Sequence, residues 1–312
     1  MTSKVSISQY KEEILRPQVK GADLEKLIPA MSPVNVSFKM AGTNNAFANA
    51  FVNAISCEVP AKSLNVMYES ITTDDEFIIP EMLILRLKLI PVNQSVPLST
   101  TFTLNVINKS AIIRDVKMDE FKSSVGGNLP FNGNFTLCTL RPMCALKISA
   151  VNILVGKGVD HAAFNLAYLC ASIPEGNPFN PLTGEGESCS VANPRAHTIK
   201  FSTNGQIPAK ELIRAACKVM TEKLADLQTM IADFETVGDK HVLNVAGESI
   251  QFGNALIRAI YDTHPDIPFA AITDSSFGRG LTIKLRTEKL AETLTSAINS
   301  MQEQLEVITA SF

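Results

Sequence analysis

The sequence predicts an α+β fold: two related sheet-plus-two-helix halves meeting in a pseudo-twofold four-helix interface, with the first half interrupted by a small inserted β-rich domain. Three observations predict it. A helical block occurs twice, a strand block occurs twice in the same order, and the spacing between the two blocks differs greatly between the copies.

The helical block is Phe47-Ala48-Asn49-Ala50-Phe51-Val52-Asn53-Ala54-Ile55, which matches Phe252-Gly253-Asn254-Ala255-Leu256-Ile257-Arg258-Ala259-Ile260 at five of nine positions. The strand block is His197-Thr198-Ile199-Lys200-Phe201-Ser202-Thr203, which matches Leu281-Thr282-Ile283-Lys284-Leu285-Arg286-Thr287. Both strand blocks alternate apolar and polar residues, the mark of a half-buried strand. Each is followed by an apolar stripe with steps of three or four, which lines one helix face. The first stripe is Ile213, Ala216, Met220, Leu224, Leu227, Ile231 and Phe234; the second is Leu290, Leu294, Ala297, Met301, Leu305 and Ile308. Ile55 lies 143 positions before Thr198, whereas Ile260 lies 22 before Thr282. The first copy therefore carries about 120 extra residues.

In chain order, residues 1–30 read as a peripheral N-terminal extension. Residues 34–40 alternate and predict a strand, with Thr43 as the helix cap behind it. The first helix should end near Val59-Pro60, because the residue before proline avoids helical angles. Residues 64–71 read as a strand. Residues 77–91 read as a second helix, with Pro80 in its first turn and Pro91 as its stop. Its apolar Met82-Leu83-Ile84-Leu85 should be buried on several sides. Residues 93–189 read as the inserted β-rich domain, with strands over 101–107 and 146–154. Their punctuation is Gly126-Gly127-Asn128, Asn132-Gly133-Asn134 and the Asn/Pro cluster at 177–181. Residues 188–194 lead back to the first half, which comprises 31–92 and 190–235. Residues 235–245 read as a short polar linker, with the first strand of the second half, 240–312, starting at 242–244.

Two helices on a small sheet leave one helical layer uncovered, and stacking two such layers face to face buries both. The expected interface residues are Phe47, Asn49, Phe51 and Ile55 on the first helix and Ile213, Met220 and Leu227 on the second. From the other half come Phe252, Asn254, Leu256 and Ile260, then Leu294 and Met301. Asparagine is a poor helix-interior residue. Its recurrence at the same place in both copies predicts that Asn49 and Asn254 hold a helix–helix contact. The small Ala48, Ala50, Ala54, Gly253, Ala255 and Ala259 would let helices approach closely.

The net charge of −3 gives no basic excess for independent nucleic-acid binding. Residues 1–17 contain no apolar core of signal-peptide length, and no stretch suffices for a membrane span, so the chain reads as soluble and intracellular. The six cysteines (Cys57, Cys138, Cys144, Cys170, Cys189 and Cys217) show no metal-ligand spacing and read as buried free thiols. Gly184-Glu185-Gly186-Glu187 lacks the lysine of a phosphate loop. Asp74-Asp75-Glu76 reads as acids favoured at a helix N-terminus. His161, His197, His241 and His264 are scattered. The expectation is no catalytic residue, no metal and no cofactor on this chain.

The run Asn49-Ala50-Phe51, Ile55, Glu58-Val59-Pro60, then Asp75-Glu76-Phe77 and Leu85-Arg86-Leu87-Lys88-Leu89-Ile90-Pro91, resembles the alpha-like assembly subunits of cellular RNA polymerases. These are the bacterial alpha N-terminal domain, its archaeal counterpart and the third subunit of polymerase II. Gly158-Val159-Asp160-His161-Ala162 resembles the end of that family's inserted domain. Phe252-Gly253-Asn254-Ala255-Leu256, with Pro265-Asp266-Ile267 and Phe269, resembles the smaller partner of those proteins, which in polymerase II is the eleventh subunit. The resemblance covers residues 31–312. A fused chain of this kind is similar to the form in large nucleocytoplasmic DNA viruses, especially asfarvirus-like ones. It implies a non-catalytic assembly scaffold for transcription, part of a nucleotidyltransferase complex. The implied partners are two large RNA polymerase subunits and a small zinc-containing one, with DNA contacted only through the complex and no membrane. It also implies host cytoplasm and virion as locations. Val52 and Asn53 stand where the family often has basic residues, so those contacts do not carry over. The cysteines do not support the metal site that some relatives hold in the inserted domain. Two other classes compete: a free-standing pseudo-dimeric DNA-binding or processivity protein, which needs a basic stripe, and an enzyme with its site between the halves, which needs clustered catalytic residues.

Overall fold

The structure, a computed structural model, describes residues 5–14, 34–126, 136–175, 195–274 and 280–312. Gly127-Asn128, Asn132-Gly133-Asn134, the cluster at 177–181, the run 184–187, Cys189 and the return stretch 188–194 lie outside the described residues.

Strand β1 (Ser6–Ile14) pairs antiparallel with β2 (Val34–Ala41). In β2 the alternation holds: Val36, Phe38 and Met40 are buried while Asn35, Ser37 and Lys39 are not. Helix α1 (Asn45–Asn53) runs on into a π turn over Ala54–Glu58. Next come β3 (Ala61–Asn65), β4 (Ile71–Thr73) and helix α2 (Pro80–Lys88). Strands β5 (Phe102–Ile107), β6 (Arg114–Lys117), β7 (Lys122–Ser123), β8 (Thr136–Leu140) and the long β9 (Ala145–Gly156) come after it. Then β10 (Ala167–Pro174) and β11 (Ala196–Thr203) lead into helix α3 (Ala209–Thr229). The remainder is β12 (Glu235–Val237), β13 (Lys240–Ala246), α4 (Ile250–Thr263), β14 (Phe269–Asp274), β15 (Gly280–Arg286) and α5 (Leu290–Ser311).

The architecture is mixed helix and antiparallel sheet. One four-stranded sheet has the order β1-β2-β11-β10, another β12-β13-β15-β14. A third joins β3, β9, β5 and β7, with β4 also on β9, and β6 pairs with β8. Two hydrophobic cores result. The larger takes the inner faces of both four-stranded sheets and the apolar faces of α1, α3, α4 and α5. The smaller, which includes Leu64, Leu87, Phe102, Leu104 and Leu146, lies under the third sheet and α2.

Several elements differ from the sequence reading. Residues 6–14 are the edge strand of the first sheet rather than a peripheral extension. The expected linker at 235–245 is the β12–β13 hairpin. Residues 64–71 are not one strand: β3 ends at Asn65, a 3-10 turn spans Tyr68–Ser70, and β4 starts at Ile71. Packing divides the chain near Leu64, ahead of the expected break at 92, because β3, β4 and α2 feed the smaller core. Helix α2 buries Leu83 and Leu87 but leaves Met82 53% and Leu85 49% exposed, so it is covered on one side only. Of the described cysteines, only Cys217 is buried, and the other four are half-buried.

The acids before α2 are not helix-terminus acids, since the helix starts at Pro80. Asp75 is a buried counter-ion in the smaller core. It accepts from Arg141 Nε at 2.8 Å, from the Arg141 backbone N–H at 2.8 Å and from the Phe77 N–H at 3.1 Å. Burial alone would raise its carboxyl pKa, but these donors outweigh it and hold the group below its ordinary 3.8. A depressed carboxylate contributes stability above the unfolded value, and that contribution fades as pH falls through 3.8 towards the folded value. Asp75→Asn should therefore cost about 2 kcal/mol near neutrality, the scale of a charge-assisted hydrogen bond. In urea melts across an acid series, the gap to wild type should shrink below pH about 4.

Candidate assembly interface

Four helices share the larger core. Helix α1 lies against α4, α4 against α5, and α5 against α3. Of the expected residues, Phe47, Phe51, Ile55, Ile213, Met220, Leu227, Phe252, Leu256, Ile260, Leu294 and Met301 are all buried in it. Leu256 also borders a crevice of about 150 Å³ between α3, α4, β13 and β15, whose far wall includes Leu227 and Met230. The small residues Ala48, Ala50, Ala54, Gly253, Ala255 and Ala259 are buried as well. At Gly253 the close approach is to the sheet, since a Cβ there would stand 2.9 Å from both the Ile272 and Leu281 side chains.

Asn49 and Asn254 do not hold the helix contact expected of them, because both are exposed. Each sits two positions from a buried neighbour on either side, about 200° around the helix from it, and so points away from the core. The asparagines that do bridge helices are others. Asn44, not Thr43, caps α1, its Oδ1 accepting from the Phe47 N–H at 2.8 Å. Ser249 caps α4 the same way through the Phe252 N–H at 3.3 Å. Asn44 Nδ2 also donates to Asp262 in the last turn of α4 at 3.1 Å, and Asn53 Nδ2 to Ser249 Oγ at 3.4 Å. The two helices thus run antiparallel, each start tied to the other's end.

Sequence reasoning also missed a charged cluster at this junction. Lys223 Nζ of α3 lies 3.0 Å from Glu58 Oε2 at the end of the π turn and 2.6 Å from Glu248 Oε2 just before α4. The three side chains are 13%, 7% and 18% exposed, respectively. Asn53 Nδ2 donates to the second Glu58 oxygen at 2.8 Å. The one available signal was a lysine on the buried stripe, one turn from Met220 and Leu227.

Burial alone would lower the Lys223 pKa, but Glu58 and Glu248 outweigh it and raise it above 10.5. A raised lysine contributes its full stability below the unfolded value, and that stability is lost as pH climbs through the folded one. Lys223→Met leaves two carboxylates buried without a cation and should cost about 3 kcal/mol near neutrality. Thermal melts should show the difference from wild type narrowing only at strongly alkaline pH.

Among the described residues, no group of three or more His, Cys, Asp or Glu is placed to hold a metal ion. No helix among them is long and apolar enough to cross a membrane.

No family model matches the chain. It is similar to proteins named DNA-directed RNA polymerase RPB3-11 homolog from African swine fever virus, among them those of isolates Tick/Malawi/Lil 20-1/1983 and Warthog/Namibia/Wart80/1980. Each is 24% identical over 306 residues, an alignment spanning 85% of this chain and 84% of the relative. Over most of its length the chain is therefore similar to viral proteins named as RPB3-11 homologs of DNA-directed RNA polymerase.

Proposed function

We propose that the chain is a non-catalytic scaffold subunit of a multisubunit DNA-directed RNA polymerase, in which two related halves close on each other to form the surface where two large catalytic subunits dock. The first half comprises β1, β2, α1, β10, β11 and α3, and the second β12 to β15 with α4 and α5. The segment between α1 and β10, with its own core, is the inserted unit.

The carrying observation is the matching order of the two four-stranded sheets around one four-helix core. In each, the second strand leads into a helix, and the third leads into a longer helix. The buried faces of α3 and α5 also match, pairing Ile213 with Leu294, Met220 with Met301 and Leu227 with Ile308. The name of the viral relatives supplies the polymerase context. The inserted unit leaves Ile79, Met82 and Leu89 of its helix segment exposed, apolar surface suited to burial in a larger assembly. A small zinc-containing polymerase subunit is a further partner on this reading. DNA is contacted only through the complex, in host cytoplasm and virion.

Affinity purification from the native source tests it: two much larger chains should co-purify in stoichiometric amounts. Leu256→Asp would place a carboxylate beside Asp226 and Glu248, which already line the crevice. It should lower stability by about 3 kcal/mol or more and abolish recovery of the large chains. Full assembly with this variant, or a wild-type protein that purifies without large companions, would falsify the scaffold reading.

A further inference from the structure

We infer that the Lys223–Glu248 contact selects which halves pair, favouring union of unlike halves over union of like halves between copies. The inference rests on the two-half reading above and adds a selection mechanism to it.

The two ends of the α1–α4 pair are equivalent in position but not in charge. The helical block repeats at an interval of 205 residues, which sets Glu248 against Thr43 and Glu58 against Thr263. The buried faces of α3 and α5 repeat at an interval of 81, which sets Lys223 against Gln304. Thr43 Oγ1 donates to Gln304 Oε1 at 3.2 Å. The same two positions that form an ion pair at one end therefore form a neutral hydrogen bond at the other. The remaining charges at the neutral end, Arg258 and Asp262, are 3.0 Å apart within α4 itself, and across the halves Asp262 meets only the neutral amide of Asn44, at 3.1 Å.

Exchange of partners is then unfavourable in a specific way. Glu58 and Lys223 belong to the first half, and Glu248 to the second. Two first halves paired together would keep each Lys223 with its own Glu58 but set it against the partner's Thr43. Two second halves paired together would set each Glu248 against Gln304, with no cation for a carboxylate that is 18% exposed. Converting two unlike pairs into one pair of each like kind breaks two charged contacts and restores none. Discrimination between partners built on buried charge works in this manner. Most of the positions buried in both α3 and α5 match and so favour no pairing; the exceptions are Leu212 against Thr293 and Cys217 against Ile298.

Co-expression of two differently tagged full-length chains, one Lys223→Glu and the other Glu248→Lys, tests this. Each chain alone faces like charges across the junction. Together, each half finds an opposite charge on the other chain through exchange at the connection between α3 and β12. Capture on one tag should retain about tenfold more of the second chain than a wild-type pair does, the order expected of a close charge pair. Lys223→Gln/Glu248→Thr copies the neutral end and avoids any misfolding from like charges. It should remain folded, and its differently tagged copies should also cross-capture above the wild-type level. If Lys223→Glu lowers the melting temperature but both experiments stay at wild-type capture, pairing is not selected here and this inference fails alone. If Lys223→Glu melts like wild type, the contact itself is missing and this inference fails, while the two-half reading, which stands on the matching sheets, is overturned only by the purification test above.

Discussion

A pair of helices laid on a four-stranded sheet has two sides, and the sheet covers only one. In this chain the second side is apolar too. Met220, Leu224 and Leu227 on α3 and Met301, Leu305 and Ile308 on α5 are all buried. Each such side chain removed from water is worth about 1.5–3 kcal/mol before ordering entropy is charged against it. Left in water together, these side chains would form an apolar patch of the kind that soluble surfaces avoid. The common core of α1, α3, α4 and α5 is therefore the condition for everything else in the molecule. An aromatic contact ties its far end to the first sheet, where the Phe312 ring beyond α5 lies 5.1 Å from Phe38 and 5.2 Å from Tyr10.

How much of this was legible in the sequence depends on what periodicity encodes. A 3.6-residue stripe marks the side of a helix that avoids water; the stripes fall on the core from Ile213 to Leu227 and from Leu294 to Ile308, while Ile231 and Phe234 lie beyond the end of α3 and, like Leu290, are half-buried. The alternation in β2 and β15 carries over for the same reason, and in β11 it holds as far as Phe201, after which Ser202 and Thr203 are buried together. Periodicity does not say which neighbour an exposed-face residue meets, so Asn49 and Asn254 were assigned a partner that geometry denies them. It also fails for short strands. Three residues, Glu235 to Val237, cannot display alternation, and β12 was read as linker. The break between the two cores was misplaced because α2 looks like any other apolar helix, and only its packing shows which core it serves. The charged cluster was hardest to see: Glu58, Lys223 and Glu248 are far apart in the chain and ordinary in isolation.

The segment between α1 and β10 is not loosely attached, and small contacts show how it is fixed. The Val159 N–H, just beyond β9, donates to the Cys57 carbonyl at 2.9 Å, closing the end of the segment onto the π turn that precedes it. Gly158 makes this approach possible, since a Cβ there would stand 2.9 Å from the Cys57 Cα, a backbone atom that cannot turn aside. On the other side, Gln206 is buried in the loop before α3 and donates Nε2 to the Lys62 and Val92 carbonyls at 2.7 and 2.8 Å. The segment is thus clamped to the helical core at both places by bonds to backbone, which tolerate little displacement.

The π turn at the end of α1 links these two features. A π turn spaces its hydrogen bonds over five residues rather than four and rotates the residues after it relative to the helix before it. Here Ile55 remains in the core at 1% exposure, while Glu58, three residues on, turns to meet Lys223 on α3. The same turn presents the Cys57 carbonyl to Val159. An uninterrupted α-helix would set residues 55 and 58 close to one face, and the charged group would compete with the apolar one for the same space. The irregular turn separates them, so one short segment serves the apolar core, the charged junction and the closure of the β-rich segment together.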